Sequence, residues 1–167
     1  MYVEVPTTST TAAQSFTVST TGPITKVRLW TVASGPNVSM RIETNNSGVP
    51  SGTLAAVGAE KASTAAQAGG HTHIPLDTQF TPVIGTTYWA VFQSTDSTAL
   101  QIGLTKPNAA SSTYADGNAY WTGGGTSGDL DIRLFQMSQP RNMTLVSGAM
   151  TADAAPTTGR ISVQAEF

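Results

Sequence analysis

Histidine occurs at only two positions, His71 and His73, and their spacing gives the first candidate for chemistry. In an extended strand, residues i and i+2 point to the same face, so both imidazoles would project from one side of a sheet. Around a threefold axis, three such pairs would offer a metal ion six nitrogen ligands. The alternative is a polar outer face beside Gly69 and Gly70, and the spacing identifies no third ligand within the chain. We therefore predict no metal and no cofactor, and name His71 and His73 as the residues that would bind a metal at a symmetry axis.

Three aspartates form a second possible ligand set. Asp129 and Asp131 share one face of a predicted strand, and Asp116 lies in a turn that contains glycine. Carboxylate oxygens in loops are the ligands that Ca²⁺ takes in proteins. The alternative is an outward strand face whose carboxylates pair with Arg133, because exposed ion pairs are common. The sequence favours the ion pair.

Three aromatic residues surround a glycine-rich stretch: Tyr114, Tyr120 and Trp121. The turn sequence at residues 116–118 predicts a hairpin that carries them. Exposed aromatic faces at this position could stack on sugar rings, so these three residues are the candidate ligand-binding site. The alternative is burial, because alternation along a hairpin turns at least one of Tyr120 and Trp121 towards the core.

The chain has few residues that could support catalysis. The chain has no cysteine, which excludes a thiol nucleophile, a thiolate metal site and a disulfide framework. A hydrolase triad would need one of the two histidines, and the sequence contains no Gly-x-Ser-x-Gly elbow, phosphate-binding loop or metalloprotease helix. A glycosidase that uses two carboxylates remains an alternative, because its two carboxyl groups must be close in the folded structure and need not be close in the sequence. We predict that the protein is not an enzyme.

Charge is sparse. Charged residues make up 11% of the chain, against roughly 25% in ordinary soluble domains. Eight lysines and arginines against ten aspartates and glutamates give a net charge of -2, which predicts no footprint for nucleic acid or an anionic membrane. Residues 1–11 are polar and lack the apolar segment of a signal peptide, and no run reaches the ~18 apolar residues of a membrane span. We expect synthesis in the cytoplasm without a signal peptide.

The elements that would carry these residues are short strands. Runs of alternating apolar and polar residues recur at a spacing of roughly 8 to 15 residues, with turn residues between them and almost no amphipathic helix pattern. This pattern is typical of an all-β fold, an antiparallel β-sandwich or jelly roll of roughly ten strands. The alanine-rich stretch at residues 58–70 is weakly patterned, which suits a long loop or one or two helical turns, and we predict a loop there.

One predicted strand is bulky on both faces. Trp89 and Val91 point one way, while the residues between and beside them point the other way. Such a strand belongs in the middle of a two-layer structure, with neither face open to water. We predict that Trp89 is a core residue, and that Trp30 is one too.

Four blocks in this order resemble a family of β-sandwich modules known as choice-of-anchor modules. They lie at residues 14–30, 41–54 and 80–92, with a looser block at residues 114–135. Such modules occur on bacterial surface proteins and in phage tail and virion proteins. The resemblance implies an N-terminal arm at residues 1–13, a sandwich module at residues 14–138 and a C-terminal extension at residues 139–167.

The C-terminal extension is similar to the C-terminal ends of phage virion proteins. We predict two strands in it, with apolar alternation at Ile161, Val163 and Ala165. Two strands cannot be stable alone, so they must add to a sheet edge of this chain or of a neighbour. The resemblance implies a non-enzymatic structural protein of a tailed-phage virion, either a capsid decoration or cement protein or a tail or fibre component. Its expected partners are other virion proteins and copies of itself in a homo-oligomer, with no nucleic acid and no membrane. The alternative is a carbohydrate-binding or host-receptor-binding module with a cell-surface glycan as its partner.

Overall fold

A computed structural model describes residues 2–5, 9–20, 22–33, 36–104, 119–122 and 129–137. These residues are all-β, and their strands form two antiparallel sheets that pack against each other, which confirms the predicted β-sandwich. Within the same residues, no helix is long and apolar enough to cross a membrane. In chain order the strands are β1 (Tyr2–Val5), β2 (Thr11–Thr17), β3 (Ile24–Thr31), β4 (Asn37–Asn46), β5 (Val49–Leu54), β6 (Glu60–Ala65), β7 (Gly70–Phe80), β8 (Thr87–Ser94), β9 (Leu100–Gly103), β10 (Ala119–Trp121) and β11 (Ile132–Gln136).

Sheet one is built around β3. Strand β7 pairs along one edge of β3, and β11 pairs along the other edge as far as Leu29. Beyond that point β9 meets β3 at Thr31, and β1 pairs with the far edge of β9. Three strands from distant parts of the sequence, β7, β3 and β11, are therefore direct neighbours.

Sheet two is built around β8. Strands β2 and β4 pair with its two edges, β10 lies beyond β2, and β5 and β6 share the outer edge of β4. Residues 88–92 of β8 are all buried, with Phe92 towards the core and Trp89 and Val91 on the outer side. The prediction of a central strand with neither face open to water is confirmed.

The core lies between the inner faces of the two sheets. Alternate residues of β3, β4 and β9 supply it, because successive side chains of a strand point to opposite faces. Val27 and Leu29 of β3, Met40 and Ile42 of β4 and Ile102 of β9 are fully buried.

Gln14 ties the two sheets together from inside this core. Its Oε1 accepts a hydrogen bond from the Leu130 backbone N–H at 2.9 Å, and its Nε2 donates to Oδ1 of Asp129 at 3.2 Å. The amide is fully buried, so both of its polar ends need such partners.

The prediction of a loop at residues 58–70 is wrong for the middle of that stretch. Residues Glu60–Ala65 form β6, which pairs with the first half of β4. This strand lies at the edge of sheet two and is largely exposed or half-buried, so it has no apolar face and no alternation to recognise. Pairing with β4, rather than local pattern, makes it a strand.

Candidate functional site

The outer face of sheet one gathers cationic and aromatic side chains from three adjacent strands. In β3, Val27 and Leu29 point into the core, so Lys26, Arg28 and Trp30 must point outward. The same alternation turns residues of β7 and β11 to this side. We call the resulting surface the basic face: Lys26, Arg28 and Trp30 of β3, His71 and His73 of β7, and Arg133 and Phe135 of β11.

The centre of the basic face is a row of three basic residues in register. Arg28 lies directly opposite His73 on one side and directly opposite Arg133 on the other. His73 and Arg133 are exposed and Arg28 is half-buried. Residues directly opposite in an antiparallel pair have Cβ atoms about 5 Å apart, so these three side chains can reach one ligand.

Aromatic rings lie on both sides of this row. Trp30 is opposite His71, and their rings meet edge to face with centroids 4.7 Å apart. Lys26 is opposite Phe135, with Nζ 4.5 Å from the ring centroid, which is a cation–π contact. His73 also reaches Phe135, at a centroid distance of 6.1 Å. The cations are thus held between two patches of aromatic surface.

The cations of the basic face have no counter-ion among the described residues. The described part of the chain forms two ion pairs, Arg41 with Glu43 and Lys61 with Asp77, and neither involves the basic face. Among these residues no carboxylate lies within ion-pair distance of Lys26, Arg28 or Arg133. Three of the eight lysines and arginines of a chain with net charge -2 are therefore concentrated on one sheet face.

Trp30 lies on the outside of the sandwich, so the prediction that it is a core residue is wrong. It is half-buried and packs over Gly103 of β9 as well as against His71. A Cβ at Gly103 would collide with Cδ1 of Trp30 and lie 3.0 Å from Cγ. The absence of a side chain at Gly103 is what lets the indole rest against the sheet.

No family model, no curated protein and no solved structure matches this chain. The resemblance to choice-of-anchor modules and to phage virion proteins stays a prediction, and function must be argued from the geometry of the site.

The two histidines share the outer side of β7, as their spacing requires. Within the described ranges, no group of three or more His, Asp or Glu side chains is placed to hold a metal ion. Nδ1 of His71 is enclosed and has no hydrogen-bond partner in the described part of the chain. An enclosed nitrogen cannot bind a metal unless the side chain turns. The geometry places His71 and His73 in the basic face, and the described residues bring no third metal ligand to them.

The aspartates do not form the predicted pairing with Arg133. Asp129 receives the hydrogen bond from buried Gln14, and no ion pair joins Arg133 to Asp129 or Asp131. The Asp131 backbone carbonyl accepts from the Trp30 N–H at 2.9 Å, which puts Asp131 beside Trp30 at one corner of the basic face. Asp116, the third of the predicted calcium ligands, lies outside the described residues.

The predicted sugar-stacking residues lie on the opposite side of the sandwich or outside the described part. Tyr114 lies outside it, as does the side chain of Trp121, whose backbone pairs with Ala12. Tyr120 packs edge to face on Trp89, with centroids 6.2 Å apart, in a small apolar cluster on the outer side of sheet two. The stacking platform formed by these three residues stays a prediction.

A groove of about 280 Å³ opens beside Arg133, between the end of β2 and strand β11. Gln136 crosses one end of it, where Thr20 Oγ1 donates to Oε1 of Gln136 at 3.1 Å. The groove is lined by Phe16, Thr17, Val18, Ser19, Thr20, Arg133, Leu134 and Gln136. Arg133 therefore borders both the basic face and a recess at its edge.

Sequence analysis did not predict the basic face, although the sequence indicates part of it. Lys26, Arg28 and Trp30 alternate with buried residues, which indicates one outward face. The neighbours that complete the site come from β7 and β11, and their register is a tertiary property. Chemically, the face offers guanidinium and imidazole donors and aromatic surface, which suit binding.

Proposed function

We propose that the protein is a non-enzymatic binding module whose basic face holds a carbohydrate, free or as part of a host receptor. The observation that carries this proposal is the row of His73, Arg28 and Arg133, which are in register and have no counter-ion in the part of the chain that the structure describes. Like charges directly opposite each other in a sheet are destabilising. An external ligand that supplies oxygen acceptors explains why this cost is tolerated, and Trp30 and Phe135 add ring surface beside the cations.

The setting proposed for this module is the virion of a tailed phage, as a capsid decoration or cement protein or as a tail or fibre component. The all-β fold agrees with that setting, and it is supported by the resemblance of residues 14–137 to choice-of-anchor modules and of the C-terminal extension to phage virion proteins. The partners are then other virion proteins and further copies of the chain.

A glycan array tests the proposed binding function. The wild-type chain should bind a subset of saccharides, and Arg28→Gln and Trp30→Ala should each reduce that binding at least tenfold. Lys61→Gln is the matched control, because it removes one positive charge from β6, away from the basic face. The proposal fails if wild type binds no saccharide, or if Arg28→Gln and Trp30→Ala bind as well as Lys61→Gln.

A second candidate function is assembly through the terminal segments, and β1 is the observation that favours it. Residues Tyr2–Val5 add to β9 with Tyr2 opposite Gly103 and Val5 opposite Leu100. Val5 is fully buried in the core. A terminal strand that inserts an apolar side chain into a sandwich is an element that neighbouring subunits can exchange by strand addition.

Truncation tests this second candidate. Removal of residues 1–5 should leave an open edge on β9, and a peptide of residues 1–13 should then bind the truncated chain. The same peptide with Val5→Lys is the control, because a charged side chain cannot enter the core. Failure of the wild-type peptide to bind a folded truncated chain would contradict strand exchange. Removal of residues 139–167 should abolish attachment to particles, and unchanged attachment would contradict the proposed role of the extension.

A further inference from the structure

We infer that the ligand of the basic face is an acidic saccharide, a short run of sugar rings that carry oxyanion groups such as carboxylates or sulfates. This inference rests on the binding function proposed above and names its substrate class. It follows from the kind of donors present, from the length of the face, and from the charges that border it.

The donors of the central row suit oxyanions. Arg28 and Arg133 each present a planar guanidinium, whose parallel N–H groups match the two oxygens of a carboxylate or sulfate. His73 is exposed at the other end of the row and adds a ring nitrogen. Because no carboxylate of the described residues lies within ion-pair distance of either arginine, a ligand oxyanion need not displace an internal partner.

The aromatic rings suit the sugar rings between the oxyanions. Same-side residues along a strand are about 6.7 Å apart, so the rows of Trp30 and Lys26 on β3 lie about 13 Å from each other. Phe135 is opposite Lys26, and its ring centroid is 6.1 Å from that of His73, so aromatic surface extends from the Lys26 row towards the central row as well as around Trp30. The face is therefore long enough for a short run of linked sugar rings, with oxyanions near the guanidinium groups of the central row.

Carboxylates border the face, so only a short segment of a polyanion can lie over its cations. Asp131 is beside Trp30, and Glu4 accepts a hydrogen bond from Gln101 on β9. Proteins that bind DNA commonly neutralise 6–10 phosphates, and clusters that bind anionic membranes carry 4–8 lysines and arginines. The described residues place three lysines and arginines on this face, which are too few for either partner.

The test measures binding of the full chain to immobilised polymers of matched length. The probes are a polyuronate, a sulfated dextran, unmodified dextran and single-stranded DNA. We expect binding to at least one of the two acidic polysaccharides, weakened by added salt, with dextran and DNA at least tenfold weaker. Binding to the polyuronate alone or to the sulfated dextran alone would support the inference and identify the oxyanion.

Variants separate the charges from the rings. Arg28→Gln and Arg133→Gln should each weaken binding about tenfold or more, as expected for loss of a charge-assisted hydrogen bond, and should reduce its salt dependence. Trp30→Ala should weaken binding without changing the salt dependence. Lys61→Gln should bind like wild type. Thermal unfolding of each variant shows that it is folded.

The outcomes distinguish the two levels of the proposal. If a neutral saccharide binds on the array, Trp30→Ala weakens that binding and the arginine variants bind it like wild type, the binding function stands and the acidic ligand is wrong. If no saccharide of any kind binds, the binding function itself fails. If DNA binds as tightly as the acidic polysaccharides, the basic face is a general polyanion surface and the inference is overturned.

Discussion

Arg28 and Arg133 lie directly opposite each other in the pairing of β3 with β11. Elsewhere in the described residues, cations that form ion pairs do so with a carboxylate on the same strand or on a neighbouring element, as Arg41 does with Glu43. The Arg28–Arg133 pair instead places two like charges directly opposite each other, which is destabilising in a sheet. Repulsion between the two guanidinium groups lowers the stability of the fold, and the same two groups are available to bind a ligand. Unfolding and binding experiments measure the two effects separately.

The first prediction concerns this pair. Arg133→Glu places a carboxylate opposite Arg28, so we expect the free energy of unfolding to rise by about 0.2–1 kcal/mol while saccharide binding is lost. Urea unfolding gives the stability and the glycan array gives the binding. Lys61→Glu is the control, because it removes an existing ion pair with Asp77 and should not stabilise. A less stable Arg133→Glu chain would contradict the unfavourable pairing.

The second prediction concerns the packing of Trp30 on Gly103. Gly103→Ala introduces a Cβ that collides with the indole, so we expect a loss of about 1–3 kcal/mol in the free energy of unfolding together with weaker binding. Gly70→Ala is the control, because the nearest atom to its new Cβ is 3.6 Å away.

A double-mutant cycle checks the cause of that loss. In a Trp30→Ala background the collision cannot occur, so Gly103→Ala should cost much less there than in wild type. Equal costs in the two backgrounds would show that Gly103 matters for another reason.

The third prediction concerns the buried amide that joins the sheets. Gln14→Leu leaves the Leu130 N–H without its acceptor, so we expect the free energy of unfolding to fall by about 1–3 kcal/mol. Gln101→Leu is the matched control, because its side chain bonds to Glu4 at an exposed position and should change stability by less than about 0.5 kcal/mol. Similar losses in both variants would argue against the special role of Gln14.

The fourth prediction concerns pH. The Asn37 backbone N–H bonded to the Asp96 carboxylate at 2.9 Å is the main cause that lowers the pKa of this carboxyl, with further bonds from Thr98 and Ser94. A carboxyl whose pKa is lower in the folded state stabilises the fold above its unfolded pKa, near 3.9 for an aspartate, and loses that contribution as pH falls through its folded pKa. Asp96→Asn should therefore be less stable than wild type at pH 7, and the difference should shrink below about pH 4. Urea midpoints at a series of pH values measure it, and a difference independent of pH would contradict this role.

Much of the fold could be predicted because alternation reports burial directly. The apolar residues of β3 and β4 repeat with the period of a strand, and their inward faces are those that the pattern indicates. Strand β8 instead carries apolar residues on both faces, which indicates a strand buried on both sides. Strand β6 could not be predicted, because its residues are held by pairing with β4 and not by an apolar face. Edge strands with polar sequences carry little local signal.

The site was harder to predict, for two physical reasons. Trp30 was expected in the core because of its size, although it alternates with buried Val27 and Leu29 and shares the side of Arg28. The net charge of -2 is a sum over the whole chain, and it does not show that one face of a sheet can carry mostly cations. Only the register of β7 and β11 on β3 brings His73 and Arg133 to Arg28.

The pairing of β2 with β10 and of β3 with β11 has a consequence for how the chain folds as it is made. Both early strands need partners that are synthesised about a hundred residues later, since Ala13 pairs with Tyr120 and Leu29 pairs with Ile132. Ribosomes add about 5–20 residues per second, so the edges of β2 and β3 stay open for seconds during translation. The sandwich can close only after residue 136 has emerged, and a nascent chain stalled before that point should still be sensitive to protease.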